Sequence, residues 1–156
     1  SFKPRPLRGS ARAVSCTTPP SRCASRLNSG VRPLMTTLQQ LAEKSDSGDL
    51  TEADVETYAT AQGVSPGQVY DALALHLATG YAQNTLTYKF CDSAINFVMG
   101  LTTYDVPDFA WSVYSAFDEG EFYHDSDSRD IDPAEKYTRP WIEKILQEAG
   151  ISGSAA

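Results

Sequence analysis

Positive charge is scarce in most of this sequence. Residues 35–156 hold 6 lysines and arginines against 20 aspartates and glutamates, a net charge of −14. Tight binding of a nucleic-acid duplex rests largely on neutralising its phosphates, so this part of the chain is a poor partner for a polyanion. Acids are missing in turn from the first 34 residues, which carry Lys3, Arg5, Arg8, Arg12, Arg22, Arg26 and Arg32 and no carboxylate. Long apolar runs are absent as well, none approaching the roughly 18 residues of a membrane span. Cysteine is sparse: Cys16, Cys23 and Cys91 make neither a disulfide framework nor a CxxC site, which fits a reducing, cytoplasmic compartment. Enzyme signatures are missing too, with no HExxH, GxSxG, P-loop or dinucleotide-type glycine pattern, and no cofactor is implied.

Two halves of opposite charge read as two kinds of segment. Residues 1–34 contain five prolines and no apolar periodicity, and are predicted to be disordered because they cannot offset the entropy of ordering. Three origins fit them. One is an organellar transit peptide, which would change the compartment. Another is a start-site artefact, since Met35 is followed by a plausible domain start at Thr36-Thr37-Leu38. The third is a basic arm. Residues 35–151 are predicted to form one acidic helical domain, with 152–156 as a flexible tail.

Capping chemistry punctuates that domain into helices, and no stretch reads as a strand. Leu38, Leu41 and Ala42 begin a first helix that stops in Ser45-Asp46-Ser47-Gly48. Thr51 caps a second that ends at Gly63, and Ser65-Pro66 opens a third carrying Val69, Leu73 and Leu77 on one stripe. Thr85 or Thr87 opens a fourth, reaching about Leu101 and apolar on most sides. Asp105-Val106-Pro107 starts a fifth that stops at Gly120. After an acidic loop over 120–132, Asp132-Pro133 gives a further start signal, and Thr138-Arg139-Pro140 caps the last helix. The fold class is all-α, a compact bundle of about six helices packed around the buried fourth one, residues 85–101.

Residues 55–73, VETYATAQGVSPGQVYDAL, carry the most specific local pattern. Ala59 suits a close helix crossing, Gly63 the turn, Val64 a buried turn position, and Val69 and Ala72 the inner face of the second helix. This stretch resembles the helix-turn-helix motif, and the resemblance implies a transcriptional regulator. Its reading helix, however, would offer a duplex Gln68, Tyr70 and Asp71 without a basic residue. Its surroundings carry Asp46, Asp49, Glu52, Asp54, Glu56 and Asp71 against Lys44, so plain helix packing explains the spacing as well.

The acids concentrate further on. Asp118, Glu119, Glu121, Asp125, Asp127, Asp130, Asp132 and Glu135 fall within 18 residues, amid Tyr104, Trp111, Tyr114, Phe122 and Tyr123. Carboxylates rimmed by aromatics suit docking of a basic protein, because charge steers encounter while buried rings supply affinity. The candidate partner-binding set is Trp111, Tyr114, Asp118, Glu119, Glu121, Tyr123, Asp125, Asp127, Asp130 and Asp132; a solvated loop whose rings belong to the core is the competing description. A calcium loop fails on register, since counting from Asp125 puts Arg129, Asp130 and Lys136 where an EF-hand needs a ligand, a glycine and a glutamate. Residues 43–54 place Gly48 and Leu50 correctly but Ser45 and Ser47 where carboxylates belong. No metal site is assigned.

Polar groups on the apolar helices need partners. Asp92 and Asn96 sit four apart on the fourth helix, His76 borders the third, and Arg139 opens the last, which predicts an internal network joining Asp92 to His76 or Arg139. An enzyme using His76, Cys91 and Asp92, with Cys91 as nucleophile, is the catalytic version of that cluster, and His124 beside Asp125 is a lone base in the loop. The leading reading is a small acidic protein-binding module. In charge and size it is similar to bacterial immunity or antitoxin-like proteins, which cover basic toxins. The helix-turn-helix regulator and an enzyme or divalent-metal protein are the alternatives.

Overall fold

A computed structural model describes residues 36–151. The predictions for 1–34 and for 152–156 lie outside the described residues. Six α-helices follow one another: α1 (Leu38–Ser47), α2 (Glu52–Gln62), α3 (Pro66–Ala82), α4 (Tyr88–Leu101), α5 (Asp108–Asp118) and α6 (Arg139–Glu148). A 3₁₀ turn, Glu119–Glu121, extends α5, a π turn, Ala134–Thr138, leads into α6, and the described residues contain no strand. None of these helices is long and apolar enough to cross a membrane.

Local sequence sets most of the boundaries. Thr37, Thr51 and Ser65 each accept a hydrogen bond from the backbone three residues on, and Gln40, Asp54 and Gln68 return the bond, so α1, α2 and α3 all begin with a reciprocal capping box. Gly48 and Gly63 close α1 and α2 in the left-handed conformation that favours glycine. Of the two threonines considered for α4, Thr87 is the cap, accepting from Phe90 N. Helix α5 lacks a cap of its own, because Pro107 precedes it. Its Ala110 N–H donates instead to Asp71 Oδ1 on α3 at 3.1 Å.

The central helix is α3 and not, as predicted, the segment 85–101. Helix α3 packs against α1, α2, α4, α5 and α6, whereas α4 meets chiefly α1, α3 and α5. Seventeen residues long, α3 buries Val69, Tyr70, Leu73, Ala74, Leu77, Ala78, Gly80 and Tyr81, which cover more than one face. Small residues let its neighbours approach: a Cβ on Gly80 would lie 2.6 Å from Leu86 Cγ. Helix α4 buries Cys91, Ala94, Ile95, Val98 and Met99, while Phe90, Phe97 and Leu101 are only half-buried. Its large residues exaggerate its depth in the sequence, because an exposed edge of Leu or Phe is normal in small proteins.

The last helix also begins differently. Thr138 has helical dihedrals and makes no capping bond. Arg139 N–H reaches back five residues to Ala134 O, the π-type bond. Pro140 explains the widening: its ring would collide with the carbonyl four residues back in a regular α-helix, and a π turn moves that carbonyl aside. Asp132 caps the turn by accepting from Ala134 N at 2.9 Å. Thr138 ends fully buried, its Oγ1 without a hydrogen-bond partner among the described residues. Replacing a buried, unbonded hydroxyl by a methyl removes a desolvation cost, so Thr138→Val is expected to raise stability by about 1 kcal/mol in urea denaturation. Destabilisation by that substitution would mean that the hydroxyl is bonded.

Candidate functional site

Two elements build the aromatic part of the site. Trp111 and Tyr114 stand three residues apart on one face of α5, and Tyr104 comes from the turn that follows α4. The three rings touch pairwise in edge-to-face or tilted geometry, with centroids 5.6 to 6.3 Å apart. Tyr104 is 57% exposed and Trp111 45%. Thr103 and Tyr104 both adopt left-handed backbone conformations, with φ of 50° and 64°. Two consecutive non-glycine residues in that region carry strain of the kind that concentrates at functional sites. The turn is nonetheless held, since Tyr104 N–H donates to Met99 O at 2.9 Å.

Carboxylates adjoin the rings. Tyr114 donates its hydroxyl to Asp118 Oδ1 at 3.4 Å, one helical turn further along α5. Beyond Asp118, Asn96 on α4 bridges Asp92 and Glu121, donating to Asp92 Oδ1 at 3.0 Å and to Glu121 Oε1 at 3.4 Å. Among the described residues no salt bridge reaches Asp92, Asp118 or Glu121. Partial burial, then Glu121 and Asp118, pushes the Asp92 carboxyl up to about 6 despite the bond from Asn96. Burial and Asp118 raise Tyr114 as well.

A folded-state value above the ordinary carboxylate range makes neutral Asp92 the better fit to the fold. Its stabilising contribution is full below the unfolded pKa near 4 and disappears as pH rises through about 6. Wild type minus Asp92→Asn, followed by thermal melts from pH 4 to pH 7, is expected to show wild type losing about 1 kcal/mol relative to the variant, after discounting for solvent screening. A difference independent of pH would show that Asp92 titrates normally.

Other predicted partner-binding residues are engaged elsewhere. Asp127 is an internal organiser with a side chain 2% exposed: Lys136 pairs with it, Tyr137 Oη donates to both its oxygens at 2.7 and 2.8 Å, and His124 N–H donates at 3.0 Å. The ion pair with Lys136, followed by the tyrosine bond, holds Asp127 down to about 2. Glu119 pairs with His124 Nε2 at 2.8 Å, Asp130 closes a turn with Ser128, and Asp132 caps the π turn. Tyr123 lies beneath Arg129, whose guanidinium sits 4.5 Å from the ring centroid. Asp125 is exposed and unbonded to any described side chain. The acidic loop is therefore knotted on itself, and Trp111, Tyr114, Asp118 and Glu121 are the members of the predicted set that come together, joined by Tyr104 and Asp92.

The predicted network from Asp92 to His76 or Arg139 does not form. His76 Nε2 contacts Gln39 Oε1 of α1 at 2.8 Å. Arg139 grips Glu135 at 2.6 and 2.9 Å and Asn84 at 3.1 Å, and lies over Tyr81. His76 is satisfied from the neighbouring α1, and Arg139 from its own helical turn and the segment after α3, so neither crosses the core to Asp92. Cys91 is fully buried, its thiol donating to Leu77 O, and burial, then Asp92 and Asp46, pushes it up to about 12. A thiol so placed is a poor nucleophile. Among the described residues no three His, Cys, Asp or Glu side chains converge in a metal-binding arrangement.

Helices α2 and α3 do pack as a pair joined at Gly63, with Ala59 and Val69 buried, but Val64 is 38% exposed where the motif resemblance required burial. The side chains that would read a duplex are occupied: Gln68 closes its own capping box, Tyr70 is buried, and Asp71 caps α5. Sequence reasoning missed that role of Asp71, the knot of Lys136 and Tyr137, and Trp141, which is exposed on α6. Only Trp141 left a signal, as a large ring on a short helix otherwise rich in charge.

Comparison with protein-family models, with curated proteins and with solved structures finds no match.

Proposed function

We propose that this protein is a binding module that docks a basic protein through the Tyr104–Trp111–Tyr114 face and its adjoining carboxylates. One observation carries the reading: three aromatic rings touch one another, two of them well exposed, Tyr114 among them donates to Asp118, and Asp92, Asp118 and Glu121 have no salt-bridge partner among the described residues. Uncompensated charge favours encounter with a cationic surface. Exposed tryptophan and tyrosine supply the area that becomes buried on contact. The overall charge of −7 acts in the same direction.

Affinity of the full chain for purified cationic test proteins, measured across a salt series, tests this reading. Reversing both Asp118 and Glu121 to lysine is expected to weaken association about tenfold or more and to flatten its salt dependence. The matching reversal of Asp130 and Asp132, which serve turns in the loop, is expected to change affinity much less. Binding that ignores salt and both reversals would remove the proposal.

A further inference from the structure

Three cationic side chains of this protein lie over tyrosine rings, and two of them also grip a carboxylate. Arg139 sits 4.5 Å from the Tyr81 centroid while its fork holds Glu135. Lys136 sits 4.9 Å from the Tyr137 centroid and pairs with Asp127. Arg129 lies 4.5 Å from the Tyr123 centroid. Arg129 and Arg139 are the two arginines among the described residues, so each of them is stacked. In two of the three cases the fold uses one recognition unit, a ring face beside a carboxylate, with a cation completing it.

Tyr104, Trp111, Tyr114 and Asp118 form a further such unit. Its rings are more numerous, one of them is a tryptophan, and no described cation lies over any of them. We infer that this unit seats an arginine side chain of the docked protein, its guanidinium stacked on the Trp111–Tyr114 face and its N–H groups directed to Asp118, which already accepts from the Tyr114 hydroxyl. The inference rests on the docking reading above and names the side chain that the face recognises. Arginine is favoured over lysine by the chemistry of the site. A planar, weakly hydrated guanidinium can stack on a ring and donate to a carboxylate in one pose, whereas an ammonium offers a strongly hydrated point charge. Asp92 and Glu121 behind Asp118 add negative potential without closing the seat, since Asn96 already orients them toward each other.

The probe is a short peptide of arginines spaced by glycine and serine, compared with the same peptide carrying lysines or glutamines. Trp141→Phe leaves Trp111 as the single tryptophan, so its emission in the full chain reports occupancy directly. Saturable change in that emission is expected with the arginine peptide, at about three- to tenfold higher affinity than the lysine peptide, and none with glutamine. By calorimetry, Trp111→Leu is expected to weaken the arginine peptide about tenfold, Trp111→Phe to recover most of the loss, and Asp118→Asn to erase the preference for arginine over lysine. Equal affinity for the two cationic peptides, or Trp111→Leu binding like wild type, overturns the arginine seat. If in that case the Asp118 and Glu121 reversals still abolish binding of cationic proteins, docking survives and the seat alone falls. If neither peptides nor proteins bind at low salt, both fall.

Discussion

Gly120→Ala is expected to destabilise the fold by about 2–3 kcal/mol, the cost of overpacking a filled interior. The reason is space and not backbone conformation, because Gly120 does not adopt a positive φ. A methyl there would overlap Thr138 Oγ1 and come within 3.1 Å of both the ring and the hydroxyl of Tyr88. Neither neighbour can yield cheaply. Tyr88 is fixed by its hydroxyl bond to Phe117 O at 2.8 Å, by edge packing against Tyr81 and by a tilted contact with the Phe117 ring. Thr138 is buried at the junction of the π turn and α6. Gly100 provides the contrast, being exposed near the end of α4 with nothing within 4 Å of a Cβ, so Gly100→Ala is expected to be neutral or to stabilise by up to about 1 kcal/mol through helix propensity alone. Urea denaturation of both variants decides the matter. A Gly120→Ala protein as stable as wild type would mean that the 3₁₀ turn does not approach Thr138 this closely.

The consequence for function is positional. Gly120 lies between Glu119 and Glu121, and its close approach to Thr138 in the π turn fixes where the chain leaves α5 and therefore where Glu121 stands relative to Asp118. A variant that tolerated alanine by shifting the 3₁₀ turn would move Glu121 away from the aromatic face. Stability and binding of Gly120→Ala should then fall together, while Thr138→Val should affect stability alone.

Helix existence was legible in the sequence because it depends on neighbours in the chain. Thr51 and Ser65 were readable as N-caps, and both accept the backbone bond that a cap makes; Asp54 and Gln68, three residues on, return it. Contacts between distant segments were not legible in the same way. Nothing near Asp71 announces that it caps a helix beginning at Asp108, and nothing near Asp127 announces Lys136 and Tyr137 as its partners. The docking and solvated-loop descriptions of the acidic run could not be separated in the sequence for this reason: a count of carboxylates does not say which ones are consumed by turns. The pairing of Trp111, Tyr114 and Asp118 was readable, since three- and four-residue spacings on a helix bring side chains together. Tyr104 joined them only through the strained turn at Thr103, which no propensity rule anticipates.

Leu77→Ala is expected to cost about 3–4 kcal/mol, against about 1 kcal/mol for Leu101→Ala. This pair separates the two candidates for the centre of the bundle. The sequence favoured the fourth helix because it is apolar on most sides, yet Phe90, Phe97 and Leu101 are only half-buried. The better signal was charge: the seventeen residues of α3 contain Asp71 as their one carboxylate and no lysine or arginine, whereas α4 carries Lys89 and Asp92 in fourteen. A helix surrounded on all sides can keep few ions, and its small residues mark where neighbours come close. Leu77 is fully buried among the packed neighbours of α3, so a cavity left there cannot collapse without moving several helices at once. Leu101 is half-buried at the end of α4, where solvent fills what is removed. Equal costs for the two substitutions, measured by urea denaturation, would return the centre to α4. The position of the aromatic face would then need another account, because Asp71 on α3 is what caps α5 and so sets where Trp111 and Tyr114 project.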